Sequence, residues 1–300
     1  MSITADRVCA VGAELGEGPV WVARESSLWF VDIKGSRLHR WRPQTGEHRS
    51  WSTPEVPGFV VPLKHGGFVA GLKSGLHHFD PQTSRFVSLM LVEPNQPDNR
   101  LNDGCVGPEG ALWFGSMHDL ESEPSGVLYR LDPAGGCVAL DSGYVITNGP
   151  AFSPDGRTFY HTDTAQRVIY AFDRPEPHLL SDKREFVRIE PEAGFPDGMA
   201  VDADGCVWVA LWGGWCLRRY TPTGEVIATV SLPCANVTKV AFGGADLRTA
   251  FVTTAWSGLT SAERVQQPSA GDVFSFVAPA PGLPPREANV DTSGIRDLVR

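Results

Sequence analysis

The sequence predicts an all-β chain: a six-bladed β-propeller of four-stranded antiparallel blades, its ring closed by the N-terminal strand in the last blade. Three observations carry this. Glycine and proline supply 32 and 24 of the 300 residues, and both disfavour helix interiors, through backbone entropy or a missing N–H. The longest stretch free of both, 157–174, is rich in Thr, Val, Ile, Phe and Tyr, the residues of strands. One strand type recurs six times at the spacing of a propeller blade.

That strand reads SSLWFVDI (26–33), GGFVAGL (66–72), EGALWFGSM (109–117), GRTFYHTD (156–163), DGCVWVALW (204–212) and LRTAFVTT (247–254). With Leu28, Phe68, Leu112, Phe159, Val207 and Ala250 as equivalent positions, the steps are 40, 44, 47, 48 and 43 residues. A second alternating segment follows each copy: RLHRWRP (37–43), GLHHFDP (75–81), GVLYRLDP (126–133), RVIYAFDR (167–174), CLRRYTP (216–222) and DVFSFV (272–277). Alternation at period two is the strand signal. Further strands, such as EHRSWS (47–52) and EVIATVSL (225–232), fall where a blade needs them. The last blade has the least chain after it, so the strand near Val8–Val11 is expected to complete its sheet. The chain is expected to be one propeller domain over 1–300, with the Pro-rich piece at 278–285 as its most flexible loop.

Composition narrows the function classes. An apolar fraction of 42% with 10% aromatics excludes disorder. No apolar run approaches the length of a membrane span. The start, MSITADRVCAVG, lacks a basic end followed by an apolar core, so a cytoplasmic protein is expected. A net charge of −9 argues against a nucleic-acid partner. The six cysteines, Cys9, Cys105, Cys137, Cys206, Cys216 and Cys234, show no zinc spacing and read as reduced, part-buried side chains.

In a propeller, residues at one offset before each repeated strand converge on the axis. Glu17 lies 11 residues before Leu28, Asn102 10 before Leu112, Asn148 11 before Phe159 and Asp197 10 before Val207. Each sits in a Gly- or Pro-rich turn: LGEGPVW (15–21), RLNDGCV (100–106), TNGPAFSPDG (147–156) and FPDGMAVDADG (195–205). Turn preference alone accounts for any one of them. Four at a matched offset imply oxygen-bearing side chains crowded into one low-dielectric mouth, where a divalent cation with oxygen ligands would neutralise them.

These motifs, together with FVDIKG (30–35), LWFGSM (112–117) and VWVALWGG (207–214), resemble the senescence marker protein, regucalcin and gluconolactonase family of sugar lactonases over essentially the whole chain. The resemblance implies a six-bladed propeller that uses one divalent metal ion to hydrolyse a sugar lactone to its aldonic acid in oxidative sugar catabolism. It places the metal ligands on Glu17, Asn148 and Asp197, with Asp197 also the catalytic base, and substrate contacts on Arg100 and Asn102. An all-oxygen site of this kind admits calcium, zinc, manganese, magnesium or ferrous iron. The segment after LWFGSM, with His118, Asp119 and Glu121, departs from the family pattern, so it carries no role by resemblance.

The remaining polar residues read as structural. His77 and His78 are expected on the solvated face of an outer strand, and His161 and Asp163 in hydrogen bonds within the sheet. Ser116 and Ser153 stand in no nucleophile elbow. The SPDG (153–156) and DADG (202–205) segments are expected to be hairpin turns. Two rival readings stay open: a hydrolase of another ester or of an organophosphate at the same site, and a non-catalytic metal-binding or scaffold propeller. A scaffold would expose a broad aromatic patch, for which Trp51, Trp212, Trp215 and Trp256 are the candidates; Trp212 and Trp215 also suit a pocket wall stacking on a sugar.

Overall fold

A computed structural model describes residues 3–291 and shows six antiparallel blades of four strands around a central axis. The inner strands are Gly16–Val22, Pro57–Pro62, Asn99–Val106, Thr147–Phe152, Phe195–Val201 and Asn236–Gly243. Each packs beside the inner strands of its two neighbours, the sixth against the first. The recurrent strand of the sequence is the second of each blade, and the alternating segment after it is the third. Among the described residues the single α-helix is Ser261–Gln266, capped at both groups by Thr260 and Glu263.

The aromatic residues that mark the repeat fill the gaps between blades. Trp29 of blade one meets Phe68 of blade two, with ring centroids 4.1 Å apart. Trp113 of blade three meets Phe152 and Phe159 of blade four at 5.2 and 4.7 Å. Trp208 of blade five meets Phe242 and Phe276 of blade six at 6.1 and 5.4 Å. All three tryptophans are fully buried. Removing one such ring costs about 3–5 kcal/mol by the usual large-to-small rule.

The N-terminal segment closes the ring. Asp6–Cys9 is the outer strand of blade six, paired antiparallel with Val273–Val277. This is slightly earlier than the stretch near Val8–Val11 that the sequence indicates. The chain leaves the sheet sooner because it turns at Gly12 (φ 64°), whose N–H donates to Asp272 at 2.8 Å, before entering the first blade. Ile3–Thr4 adds a short parallel pairing with Val226–Ser231, the outer strand of blade five. Residues 1, 2 and 292–300 lie outside the described residues.

Three expectations need correction. The Pro-rich segment at 278–285 is not a free loop, because several of its backbone groups find partners on the blades. The N–H groups of Ala278 and Gly282 donate to Arg248 and Leu247, and the Pro281 carbonyl accepts from Ala203. Further on, Ala288 pairs with Pro62 and Lys64, so the strap crosses the lower mouth of the channel from blades five and six to blade two. His77 is buried rather than solvated, since Gly75–Asp80 is the third strand of its blade and Arg85–Leu91 covers it. His161 is fully buried, yet neither ring nitrogen meets a hydrogen-bond partner among the described residues; it packs between Tyr144 and Phe159 instead.

Both expected turns are found. SPDG links the first two strands of blade four, with Gly156 N–H donating to the Ser153 carbonyl. DADG does the same in blade five, where Asp202 is buried and accepts from the Asp204 and Cys206 N–H groups and from the Trp208 indole. All six cysteines are unpaired. No helix among the described residues is long and apolar enough to cross a membrane.

Candidate active site

Every inner strand carries a β-bulge near its upper end. The register shifts fall between Glu17 and Val20, Pro57 and Phe59, Leu101 and Gly104, Asn148 and Ala151, Pro196 and Met199, and Val237 and Lys239. A bulge inserts one residue and re-aims its side chain. Repeated in each blade, it turns Glu17, Asn102, Asn148 and Asp197 toward the axis. In blade two the corresponding residue is Gly58, where a Cβ would overlap the Leu101 and Asn102 carbonyl oxygens. Thr238 of blade six is turned away, its hydroxyl donating to the Gly16 carbonyl at 2.6 Å.

The five residues singled out in the sequence, Glu17, Arg100, Asn102, Asn148 and Asp197, line one cavity of about 320 Å³ at the upper mouth. That is the scale of a small-molecule site. A larger groove of about 670 Å³ between blades one and six has no titratable side chain in its wall. Trp212, Phe195, Ile33 and Ile146 give the upper cavity an apolar side, which suits one face of a sugar ring. Trp215 points elsewhere and is half exposed, while Trp51 stacks on Trp29 and Trp256 is covered by Arg264. The four tryptophans therefore form no common surface patch.

Glu17 and Asp197 are both buried and lie within hydrogen-bonding reach of each other. Burial pushes both carboxyls well above the usual carboxylate range. For Asp197 the Glu17 charge adds to this, and for Glu17 the charge of Asp103 does. Glu17 Oε2 accepts from the Gly18 N–H, whereas Oε1 is buried with no partner among the described residues. An orphaned carboxylate oxygen, a facing carboxyl and an amide oxygen form a hard donor set that fits a divalent cation. Among the described residues no three His, Cys, Asp or Glu side chains are grouped so as to hold a metal ion by themselves. The fit rests on two carboxylates completed by the amide of Asn148.

The neighbouring charges are balanced in pairs. Beneath the site, buried Asp103 meets buried Lys239 and also accepts from the Gly149 N–H at 2.8 Å. Burial works against the Lys239 charge, but Asp103 and Glu17 outweigh it and hold its pKa above the ordinary value. At the rim, Arg100 Nε donates to Asp119 at 3.1 Å, and Lys73 reaches the other Asp119 oxygen at 2.9 Å. Burial alone would raise the Asp119 pKa; Lys73 and Arg100 reverse this and hold the carboxyl low. Glu121, held at φ 57°, lines the cavity, and His118 does not. Glu17 and Asp197 thus face each other with no ion-pair partner of their own, and when both are ionised their charge of −2 would match one divalent ion.

Asp103, Lys239 and Asp119 were not assigned from sequence. Lys239 offers one signal, a charge inside the otherwise apolar inner strand NVTKVAFG. Asp103 follows Asn102 directly in RLNDG and reads as part of the same turn.

Comparison with known proteins agrees with this architecture. A family model described as SMP-30/Gluconolactonase/LRE-like region matches residues 15–256. A 6-deoxy-6-sulfogluconolactonase of Pseudomonas putida is 35% identical over 271 residues, 89% of this chain and 92% of that protein. A pentonolactonase of Haloferax volcanii is 36% identical over 255 residues, 84% of this chain and 86% of its own. Among solved structures, a calcium-binding protein, regucalcin, of Agrobacterium tumefaciens superposes with a TM-score of 0.91 at 26% identity, covering 96% of this chain and 98% of that one.

Proposed function

The chain belongs to the SMP-30/gluconolactonase/LRE-like family, and from that premise we propose that it hydrolyses a neutral sugar lactone to the aldonic acid with one divalent cation. The observation that supports this most is the pairing of Glu17 and Asp197 beside the Asn148 amide in a buried, otherwise charge-balanced mouth. Relatives named 6-deoxy-6-sulfogluconolactonase and pentonolactonase support a sugar lactone as the substrate.

Glu17, Asn148 and Asp197 would hold the cation. Bound there, it supplies a Lewis acid that polarises the ring-ester carbonyl and offsets the charge that develops on its oxygen. Arg100 and Asn102 orient the sugar: Arg100 donates to a hydroxyl oxygen, and Asn102, whose two N–H groups are already bonded, accepts a hydroxyl hydrogen at Oδ1. Trp212 and the apolar wall cover one face of the ring. The carboxylate of Asp197 takes a proton from the attacking water as the new C–O bond forms. The ring C–O bond then breaks, and the ring oxygen leaves as the hydroxyl of the open-chain acid after receiving a proton.

The donor set of oxygens accommodates calcium, and magnesium, manganese, zinc or ferrous iron as alternatives. A single propeller domain acting on a freely diffusing lactone in the cytoplasm, as a step of oxidative sugar catabolism, fits the acidic chain and its six unpaired cysteines. The test is a pH-indicator assay of chelator-stripped protein against pentono- and hexonolactones, each metal added back in turn. Acid release that depends on added metal supports the reading. Turnover unchanged by complete stripping, or no turnover of any lactone with any metal, overturns it.

A further inference from the structure

One hydrogen-bond chain runs through the site, and its direction is fixed by its two ends. Arg100 Nη1 donates to Asn102 Oδ1 at 2.6 Å. Asn102 Nδ2 then donates to Asn148 Oδ1 at 3.0 Å and to the Thr147 carbonyl at 2.7 Å. Asn148 Nδ2 donates to Thr164 Oγ1 at 2.9 Å, and the Thr164 hydroxyl donates to the Pro196 carbonyl at 2.7 Å. A guanidinium can only donate and a carbonyl can only accept. Every amide and hydroxyl between them is therefore forced into one orientation.

The last link decides what the axis sees. A threonine hydroxyl has one hydrogen, and here the Pro196 carbonyl takes it. Toward Asn148 it can only accept, so the Asn148 NH2 must face Thr164 and Oδ1 is turned to the Asn102 side, on the cavity that Glu17 and Asp197 also line. Thr164 is itself fixed by backbone bonds, its N–H to the Ile146 carbonyl and its carbonyl to the Arg167 N–H, each at 3.0 Å. It is buried, and it bridges blade four to the residue just before Asp197.

We infer that Thr164 is a positioning residue that, opposite Asn102, orients the Asn148 amide so that it presents oxygen rather than nitrogen to a cation. The inference rests on the proposed role of Asn148 as a ligand. An amide flipped by half a turn would aim two N–H donors at a positive ion, so the site would lose a ligand and gain a repulsion. Nothing in the side chain of Asn148 itself prevents that flip, because its O and NH2 arms have nearly the same shape.

The test is calorimetric titration of the chelator-stripped full chain with calcium and with manganese(II). Thr164→Val keeps the shape and removes the acceptor; it should raise Kd about 10- to 100-fold, the usual effect of a partner that orients a ligand. Thr164→Ser restores the acceptor and should bind nearly as the parent does. In an Asn148→Asp background the two oxygens are alike, so Thr164→Val should there cost little. A purely structural role would cost the same in both backgrounds. If the valine variant melts too early to titrate, Thr164→Ala is read in the same cycle.

Equal losses in the two backgrounds, or no loss from Thr164→Val while Asn148→Ala binds poorly, overturn the inference and leave the ligand reading standing. Asn148→Ala binding as the parent does, or a parent that binds neither ion, overturns both.

Discussion

The Asn102 side-chain nitrogen lies 3.0 Å from the Asn148 side-chain oxygen, across the gap between blades three and four. A residue proposed to touch the sugar thus holds a residue proposed to touch the metal. The two functions share one network, and their separation has to be measured rather than assumed.

Asn102→Ala should raise KM or lower kcat, since the lactone loses a hydroxyl partner. Metal content after dialysis should stay near that of the parent, because Asn148 keeps its bond to Thr164 and Glu17 and Asp197 are untouched. Metal analysis of the dialysed variant checks this. Loss of the ion would show that metal binding depends on Asn102, as a ligand or through its bond to Asn148.

His161 gives the fold an acid-sensitive point. It is fully buried, and burial pulls its pKa down to about 3 from an unfolded value near 6.5. The unfolded chain therefore takes up the proton first as pH falls. The stability is fully present above about pH 6.5 and declines below it, by up to about 1.4 kcal/mol per pH unit until the folded pKa is reached. His161→Phe, between Tyr144 and Phe159, removes this contribution along with two orphaned nitrogens. Urea midpoints at pH 7 and pH 5 should show the parent losing about 2 kcal/mol more than the variant over that interval. Parallel losses would show that His161 is not the titrating group.

Most of the fold could be read because its unit is local. The second strands of blades one, three and five each pack a tryptophan against the next blade, so Trp29, Trp113 and Trp208 recur at readable intervals. The candidate site could be read for the same reason, since each bulge falls at a fixed distance before that strand. What could not be read are the partners across blades. Asp103 and Lys239 are 136 residues apart, and nothing local distinguishes their pairing from two separate surface charges. Thr164 looks like an ordinary turn residue until Asn148 and the Pro196 carbonyl are placed on either side of it. The strap at 278–285 reads as a loop from its prolines alone, while the groups that bind its backbone, on Arg248, Leu247 and Ala203, belong to other strands and turns.

The N-terminal clasp predicts how the domain unfolds. Asp6–Cys9 covers the open edge of blade six, Arg7 pairs with Asp272 at 2.7 Å, and Ile3–Thr4 reaches blade five. Deleting residues 1–12 should lower the midpoint of the whole transition rather than fray one end, because closure of the ring removes an exposed sheet edge. Thermal melts followed by far-UV circular dichroism and by tryptophan fluorescence should shift together. A variant that melts in two separated steps, with most of the signal unmoved, would show that the clasp is only local.

Asp197 and Glu17 should separate when each loses its charge but keeps an oxygen. A carboxylate oxygen bound to a cation is a poor proton acceptor, so Asp197 can be both ligand and base only if one oxygen serves each role. Asp197→Asn leaves an oxygen ligand and removes the acceptor. It should still bind metal, more weakly, yet lose about 10²-fold or more in kcat, the low end for general-base catalysis. Glu17→Gln removes charge from a side chain held by the Gly18 N–H and facing Asp197, so its main loss should be in metal affinity. Excess metal should then restore much of its activity. The measurement is kcat for both variants across a metal titration extended to saturation. If saturating metal rescues Asp197→Asn as fully as Glu17→Gln, Asp197 is a ligand alone and the proton of the attacking water leaves by another group. Glu121, the remaining carboxylate on the cavity wall, would be the next residue to substitute.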